Sequence, residues 1–244
     1  VKRVVDYNVV VRPTKDGQDV DTDNVKMSIN PFDEIALEEA VRLKESGKAK
    51  EIIAVTCGSD NCQDVLKTSF AMGADRGILI NCSDNLLPIS VAKILEKVSN
   101  IEKPNLILMG KQAIDDDCNQ TGQMLAALLN INQATYASEV KIEGDELIVT
   151  REIDGGMETV RLSTPAVVTA DLRLNEPRYI TLPNIMKAKR KTIEKIDSNS
   201  LNYDGSTKIK LLKISEPETR KKGEFVDSVD ELLQYLKKKS EILK

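Results

Sequence analysis

The feature that most constrains this chain is the alternation of two hydrophobic periods over its first 130 residues. Short apolar runs of strand length alternate with stretches whose apolar residues recur at helical spacing. Val1–Val5 opens in a β-like stretch, and Val9-Val10-Val11 is β-branched. Asn30-Pro31 then opens a helix: Asn30 suits the N-cap, Pro31 the first turn, and Asp33 and Glu34 the positive end of the helix dipole. Ile35, Ala36, Ala40 and Leu43 give that helix an apolar face, and Gly47 stops it. Ile52–Thr56 follows as a buried strand ending in Cys57-Gly58, then a helix over about Ser59–Met72 and a strand at Gly77–Ile80. A helix over Pro88–Val98, a strand at Leu106–Met109 and a helix from near Asn119 through Leu129 complete the series. Strand alternating with helix predicts an α/β fold, a parallel sheet with helices on both faces. Ligands in such sheets sit at the carboxyl ends of strands, which points to Cys57-Gly58-Ser59 and to Gly110–Thr121.

Beyond about residue 135 the period changes to two. Val140, Ile142, Leu147, Ile148 and Val149 alternate with polar residues, and Gly144-Asp145 and Asp154-Gly155-Gly156 are turn signals. This predicts an antiparallel excursion over about 137–165, after which Pro165–Thr169 reads as another buried strand. A strand at Ile209–Ile214, a polar linker at Glu216–Gly223 and an amphipathic helix over Ser228–Lys239 are expected in the tail. The chain of 244 residues suits one large domain over 1–200 with an appendage, an arm and helix, over 201–244.

Composition removes several chemistries. Histidine is absent, which takes away the usual general base, the Ser/His and Cys/His nucleophilic systems and the commonest metal ligand. Cys57, Cys62, Cys82 and Cys118 form no C-x-x-C pair and read as reduced thiols of an intracellular compartment. A net charge of −4 gives no general reason to expect nucleic-acid binding, and no apolar run is long enough to span a bilayer. No signal or transit peptide is visible, and part of the first strand is expected ahead of Val1.

Two segments carry chemistry. The first, Gly110-Lys111-Gln112-Ala113-Ile114-Asp115-Asp116-Asp117-Cys118-Asn119-Gln120-Thr121, leaves a strand and enters a helix. Asn119, Gln120, Thr121 and Gly122 supply the small donors that phosphate binding at a helix N-terminus needs, and the carboxylates suit ribose hydroxyls or an adenine amino group. The same residues also describe an acidic helix-capping turn. A metal site from the three aspartates fits less well, because adjacent loop side chains rarely converge. Neither a P-loop nor a dinucleotide fingerprint is present. In the second segment Pro183 starts a short helix on which Leu182, Ile185 and Met186 form an apolar patch ringed by Lys187, Lys189 and Arg190. An apolar anchor in a basic rim suits docking to an acidic, grooved partner; local burial of Leu182 and Met186 is the alternative.

Read together, these segments resemble the electron-transfer flavoprotein β-subunit family. The resemblance rests on Val149, Arg151, Asp154-Gly155-Gly156, Glu158, Val160 and Pro165–Thr169, and on Asn30-Pro31-Phe32, Ala71–Gly77, Gly110–Gln123 and Leu174-Asn175-Glu176-Pro177-Arg178-Tyr179 through Met186. It covers nearly the whole chain to about residue 200. The resemblance implies an adenine-nucleotide-binding, Rossmann-like fold that buries a structural AMP, and a heterodimer with an α subunit that mostly holds the FAD. AMP contacts are implied at Asn30, Cys57 and Gly110–Thr121; one alanine of the family's AMP site falls ahead of Val1. Tyr7 and Phe32 match residues that approach the flavin ring, ordinary packing being the alternative for both. Glu152 matches a carboxylate that pairs with an α-subunit arginine and orients the flavin domain. Leu182, Pro183, Asn184, Ile185, Met186 and Lys187 match a recognition loop, at about 178–190, that docks on acyl-CoA and related flavin dehydrogenases. Lys187 matches a lysine methylated in some members.

The function implied is electron carriage, not substrate turnover, in fatty-acid β-oxidation and amino-acid catabolism. Electrons would come from dehydrogenases and go to a membrane ETF–ubiquinone oxidoreductase. The implied location is the mitochondrial matrix, or the cytoplasm of a bacterium. The rival readings are a stand-alone adenine-nucleotide sensor and a nucleotide hydrolase of the same fold.

Overall fold

The computed structural model describes residues 1–83, 86–203, 209–220 and 222–239. The chain divides into two compact units, Val1–Val11 with Asp21–Leu211, and Arg12–Val20 with Leu212–Lys244.

The first unit is α/β. Its elements are β1 (Arg3–Val5), β2 (Met27–Ile29), α1 (Pro31–Glu45), β3 (Ile53–Gly58), α2 (Gln63–Met72), β4 (Arg76–Asn81), α3 (Pro88–Glu102), β5 (Leu106–Gly110) and α4 (Thr121–Leu129). Then come β6 (Asn132–Glu143), β7 (Glu146–Ile153), β8 (Gly156–Ser163), β9 (Ala166–Ala170), α5 (Leu182–Ala188) and β10 (Glu194–Asp197). Among the described residues β10, β4 and β3 pair in parallel; β5, β9 and β6 also run parallel, and β7 and β8 extend that second sheet antiparallel. β1 and β2 form an antiparallel pair.

Period-two alternation sorts the strand side chains to the two faces. On β3 and β4, Ala54 and Leu79 pack with Leu37 and Val41 of α1 and Leu66 and Phe70 of α2. Their neighbours Ile53, Val55, Ile78 and Ile80 pack with Ile94 and Val98 of α3 on the other side. In the second sheet Ile107, Met109 and Val167 join Ala92 of α3 and Leu125 of α4, while Leu108 and Ala170 meet Ile35 and Ala36 of α1. Helices therefore cover both faces of the strands, as the alternating sequence implied. A groove of about 620 Å³ runs between β3 and β5, lined by Ile53, Val55, Leu106 and Leu108, and the Val1 amine donates to the Val55 carbonyl at 2.8 Å.

Four sequence expectations need correction. Val9–Val11 is not a strand, and Val10 is exposed; β-branching alone does not make a strand without a partner edge. Asn30 precedes α1 as expected, yet its side chain makes no capping bond. The helix expected from Ser59 starts as a 3₁₀ turn, Asp60–Cys62, before α2. Ile209–Ile214 is not a strand, and Ile209, Leu211 and Leu212 are exposed. β10 was not foreseen, being a four-residue edge strand with Ile196 as its only inward residue.

The second unit holds a turn in which Pro13 bridges Val20 and the Gly17 carbonyl accepts from the Ile214 amide at 2.8 Å. It also holds α6 (Val229–Lys239), whose Ser228 hydroxyl accepts from the Glu231 amide at 3.2 Å while the Glu231 carboxylate accepts from the Asp227 amide at 3.0 Å. This reciprocal pair resembles a capping box.

A Cβ at Gly77 on β4 would lie 2.6 Å from Cζ of the buried Phe70 ring. Gly77→Ala is therefore expected to cost about 1–3 kcal/mol of stability. Urea unfolding checks it; an unchanged midpoint would mean the Phe70 ring has room to withdraw.

Candidate functional site

The carboxyl ends of β3 and β5 open on a cleft of about 120 Å³. Its walls include Val55–Cys57 from β3, Asn30 and Asp33 from α1, Pro88, Val91 and Leu95 from α3, and the loop from Gly110 into α4. The switch-point rule selected this place from sequence.

Two side chains at the start of α1 fix the loop. Asn30 donates through Nδ2 to the Gln112 carbonyl at 2.8 Å and accepts at Oδ1 from the Ile114 amide at 3.2 Å. It therefore holds both sides of a turn rather than its own helix end. Asp33 accepts from the Gly110 amide through Oδ1 and from the Lys2 amide through Oδ2, each at 2.8 Å. Asp33 thus ties Lys2, just ahead of β1, and Gly110 at the end of β5 to one helix. Its role is larger than the dipole contact read from sequence. Gly110 allows this closeness: a Cβ there would stand 2.6 Å from Phe32 Cβ and 2.8 Å from Asp33 Oδ1.

Past the turn the backbone is left-handed at Asp117 (φ 49°) and Asn119 (φ 50°). The three aspartates divide between two partners. Asp115 and Asp116 meet Lys2 Nζ at 2.7 and 3.0 Å, and Asp117 accepts from Gln112 Nε2 at 2.7 Å. Burial would raise the Asp116 carboxyl, but the Cys118 amide and the Lys2 ammonium outweigh it and hold it below the ordinary carboxylate range. Lys2 is correspondingly raised: burial opposes its charge, and the two carboxylates more than offset that. Asn119 is held from behind by its Nδ2 donating to the Tyr136 hydroxyl and its Oδ1 accepting from Gln123 Nε2 at 3.0 Å. Tyr136 itself has φ 58° where β6 shifts register against β9, a strained conformation for an aromatic residue.

Of the residues expected at the AMP site, Asn30, Cys57, Gly110, Lys111, Gln112, Ala113, Asp116, Cys118, Asn119, Gln120 and Thr121 line the cleft. Ile114, Asp115 and Asp117 are not part of its lining. Burial pushes the Cys57 thiol up to about 12, so it lines the cleft as a neutral group. Sequence reasoning missed Lys2, Thr56, Tyr136 and the α3 wall. Pro88, Val91 and Leu95 recur at three and four, a helical stripe that was readable; Tyr136 left no such signal. Thr56 Oγ1 is buried without a hydrogen-bond partner, an unmet polar atom on the wall.

The remaining predicted residues lie elsewhere. Tyr7 is exposed, whereas Phe32 is buried with Lys111 Nζ 5.2 Å from its ring centroid. Lys111 also pairs with the buried Asp171 at 2.6 Å. Glu152 Oε1 lies 2.9 Å from Arg173 Nη1, close enough for an ion pair but without hydrogen-bond geometry. On α5, Leu182 is 69% exposed, Met186 56% and Ile185 38%, and Pro183, Asn184 and Lys187 are exposed as well. Only Ala188 of that helix is buried, so local burial of Leu182 and Met186 does not occur. Lys191 turns inward instead, donating to the Ala74 carbonyl at 2.7 Å.

Sheet order and cleft together define an α/β protein with a cleft at the carboxyl ends of β3 and β5. The model of the electron transfer flavoprotein domain matches residues 19–201. The chain is 55% identical to the mitochondrial electron transfer flavoprotein subunit β of Arabidopsis thaliana, over 100% of this chain and 98% of that protein. It is 56% identical to the β subunit of Bradyrhizobium diazoefficiens over 100% of this chain and 98% of that one, and 55% to the human β subunit over 97% and 94%. The chain belongs to the electron transfer flavoprotein β-subunit family.

Because α1 packs directly on the Gly110 backbone, Gly110→Ala is expected to push the two apart and cost about 1–3 kcal/mol. Chemical denaturation measures the cost. A loss below about 0.5 kcal/mol, the scatter of neutral surface changes, would show that α1 does not clamp this loop.

Proposed function

We propose that this chain is the β half of a heterodimeric electron carrier, not an enzyme with its own substrate. In this reading it buries one AMP, helps an α subunit hold FAD at their interface, and docks on acyl-CoA and related flavin dehydrogenases. It thereby serves electron flow to a membrane ETF–ubiquinone oxidoreductase in fatty-acid and amino-acid catabolism. The observation that carries the reading is the match between the cleft wall and the positions that the family resemblance assigns to AMP.

The residues present fit an adenylate. The first-turn amides of α4 lack intrahelical acceptors and suit a phosphate, with Asn119, Gln120 and Thr121 as further donors. Asp116, kept ionised, suits the ribose hydroxyls. Thr56 Oγ1 offers an unmet hydrogen-bonding atom, and Val91 and Leu95 an apolar wall for a base. Such a ligand stabilises the fold by mass action, which is a structural role.

The flavin, when bound, supplies the redox chemistry; the chain supplies position and environment. Tyr7, being exposed, is free to meet it at the subunit interface, whereas Phe32 would act from beneath Lys111. Glu152 would exchange or share its Arg173 contact with an arginine of the α subunit. On α6, Val229, Leu232, Leu233 and Leu236 form a stripe at helical spacing, and the first three are exposed; the arm from about residue 201 would lay that stripe on the α subunit. Leu182 is the docking anchor, with Pro183, Asn184, Ile185 and Met186 around it and Lys187, a candidate for methylation, on its rim. The relatives include mitochondrial and bacterial proteins. The location proposed is the mitochondrial matrix, or the cytoplasm if the source is bacterial.

Native mass spectrometry of the chain co-expressed with an α subunit tests the whole reading: one AMP and one FAD per heterodimer are expected, and a complex lacking both would end it. Asp116→Ala with Asn119→Ala should empty the AMP site and weaken assembly; a full AMP complement would remove those residues from the site. Leu182→Ala should slow electron acceptance from an acyl-CoA dehydrogenase by about tenfold or more, as loss of an anchor does. Flavin content should be unchanged in that variant, and lost flavin would make Leu182 a structural residue.

A further inference from the structure

An exposed anchor on a seven-residue helix raises a mechanical question, because α5 buries only Ala188 and is too short to hold itself. Its two flanks provide the support. On the carboxyl side, Ala188 enters the core beside α2, Lys191 Nζ donates to the Ala74 carbonyl, and its ammonium lies 5.1 Å from the Phe70 ring centroid. On the amino side, the segment Asn175–Arg178 is pinned along α1.

That second attachment is dense. Asn175 Nδ2 donates to the Ile35 carbonyl at 3.1 Å and to Glu39 Oε2 at 3.0 Å. The Glu176 carbonyl accepts from Arg42 Nη2 at 3.0 Å. Arg178 donates from Nε to Glu38 Oε2 at 2.8 Å and from its backbone amide to the same oxygen at 3.2 Å. Its Nη1 and Nη2 reach Glu45 at 2.7 and 2.9 Å, and Nη2 also reaches Glu38 Oε1 at 3.2 Å. Glu38 is 3% exposed and also accepts from Arg42 Nε at 2.8 Å. Burial would raise its carboxyl, yet Arg178 and Arg42 outweigh that and hold it below the ordinary range. A planar fork on two carboxylates about two helical turns apart on one face fixes both position and direction, which a lysine ammonium does not.

We infer that Arg178 is a positioning residue for partner docking: its fork on Glu38 and Glu45 locks the chain four residues ahead of Leu182 to α1, so that Leu182, Ile185 and Met186 are presented preformed. This rests on the docking role given above to Leu182. A preformed anchor binds without the ordering cost that a loose loop would carry. Arg178 needs no contact with the partner; it acts through Leu182.

The test uses the α/β heterodimer with an acyl-CoA dehydrogenase as donor, and four forms: unaltered, Arg178→Met, Leu182→Ala and the two together. Arg178→Met should raise the KM for the partner about tenfold, leave kcat within about twofold, and leave AMP and FAD content unchanged. The Ile185 and Lys189 amides, bonded to the Thr181 and Ile185 carbonyls, should exchange about tenfold faster with solvent. The doubly substituted form should lose less than the sum of the two single losses, since the clamp then has only Ile185 and Met186 left to position. Additive losses would overturn the inference, as would unchanged KM and unchanged exchange in Arg178→Met. If Arg178→Met fails to fold because Glu38 is left buried without its cation, Glu38→Leu with Arg178→Met removes both charges and takes the same measurements. Should Leu182→Ala itself leave the kinetics unaltered, the docking role falls, while amide exchange in Arg178→Met still decides whether the clamp orders α5.

Discussion

Gly110 lies hard against the first turn of α1, and the carboxylate of Asp33 accepts from the amides of Gly110 and Lys2 in that contact. Most else in the first unit depends on this arrangement. Among the described residues β3 and β5 share no strand pairing. On the β5 side, side chains at a helix start hold the chain: Asp33 accepts from two amides, and Asn30 bonds to both sides of the turn after Gly110. The Gly110, Lys2 and Ile114 amides are part-buried, and without these side chains each would lose a hydrogen bond worth about 1 kcal/mol. They also set the shape of the cleft, because the loop they hold is one of its walls.

The α/β character and the place of the cleft were legible in the sequence because both follow from periodicity. Alternation of Ala54, Leu79 and their neighbours between two helical layers is the same pattern that marks the runs as strands. The carboxyl-end rule then needs only strand direction. What stayed hidden are the contacts made by single polar side chains over long separations. Asn30 has every local mark of an N-cap, and nothing nearby in sequence says that its amide is engaged 82 and 84 residues away. Val9–Val11 fails for the complementary reason: strand propensity is a fit to a neighbouring edge, and no edge is paired with it. Tyr136 shows the same limit, since a left-handed tyrosine is dictated by the register shift of β6 and not by its own preference.

Resemblance reached further than periodicity, and structure sharpened what it gave. It assigned Gly110–Thr121 to AMP as a block; the geometry separates residues that face the cleft from Ile114, Asp115 and Asp117, which support it. It marked Leu174–Tyr179 only as matching the family. In the fold that stretch is where Asn175 and Arg178 grip α1, a role that no motif spells out because its partners, Glu38, Glu39 and Glu45, read on their own as an acidic surface helix.

α1 therefore carries two duties at different heights. Its first turn holds the loop after Gly110, and Glu38 through Glu45, on the next turns, hold the approach to α5. At 1.5 Å per residue, Asp33 and Glu45 are about 18 Å apart along one rigid helix. The cleft and the exposed α5 patch, attached to one beam, keep a fixed mutual geometry without any signal passing between them. Under the proposed function that would suit a carrier whose association with its partners is brief. The anchor patch is small and its rim of Lys187, Lys189 and Arg190 is open to solvent. In the proposed docking, affinity from so little surface would come from not having to order the patch on contact, and salt-sensitive steering by the rim would set how fast contact is made. A floppy loop with the same side chains would keep the steering and lose the grip.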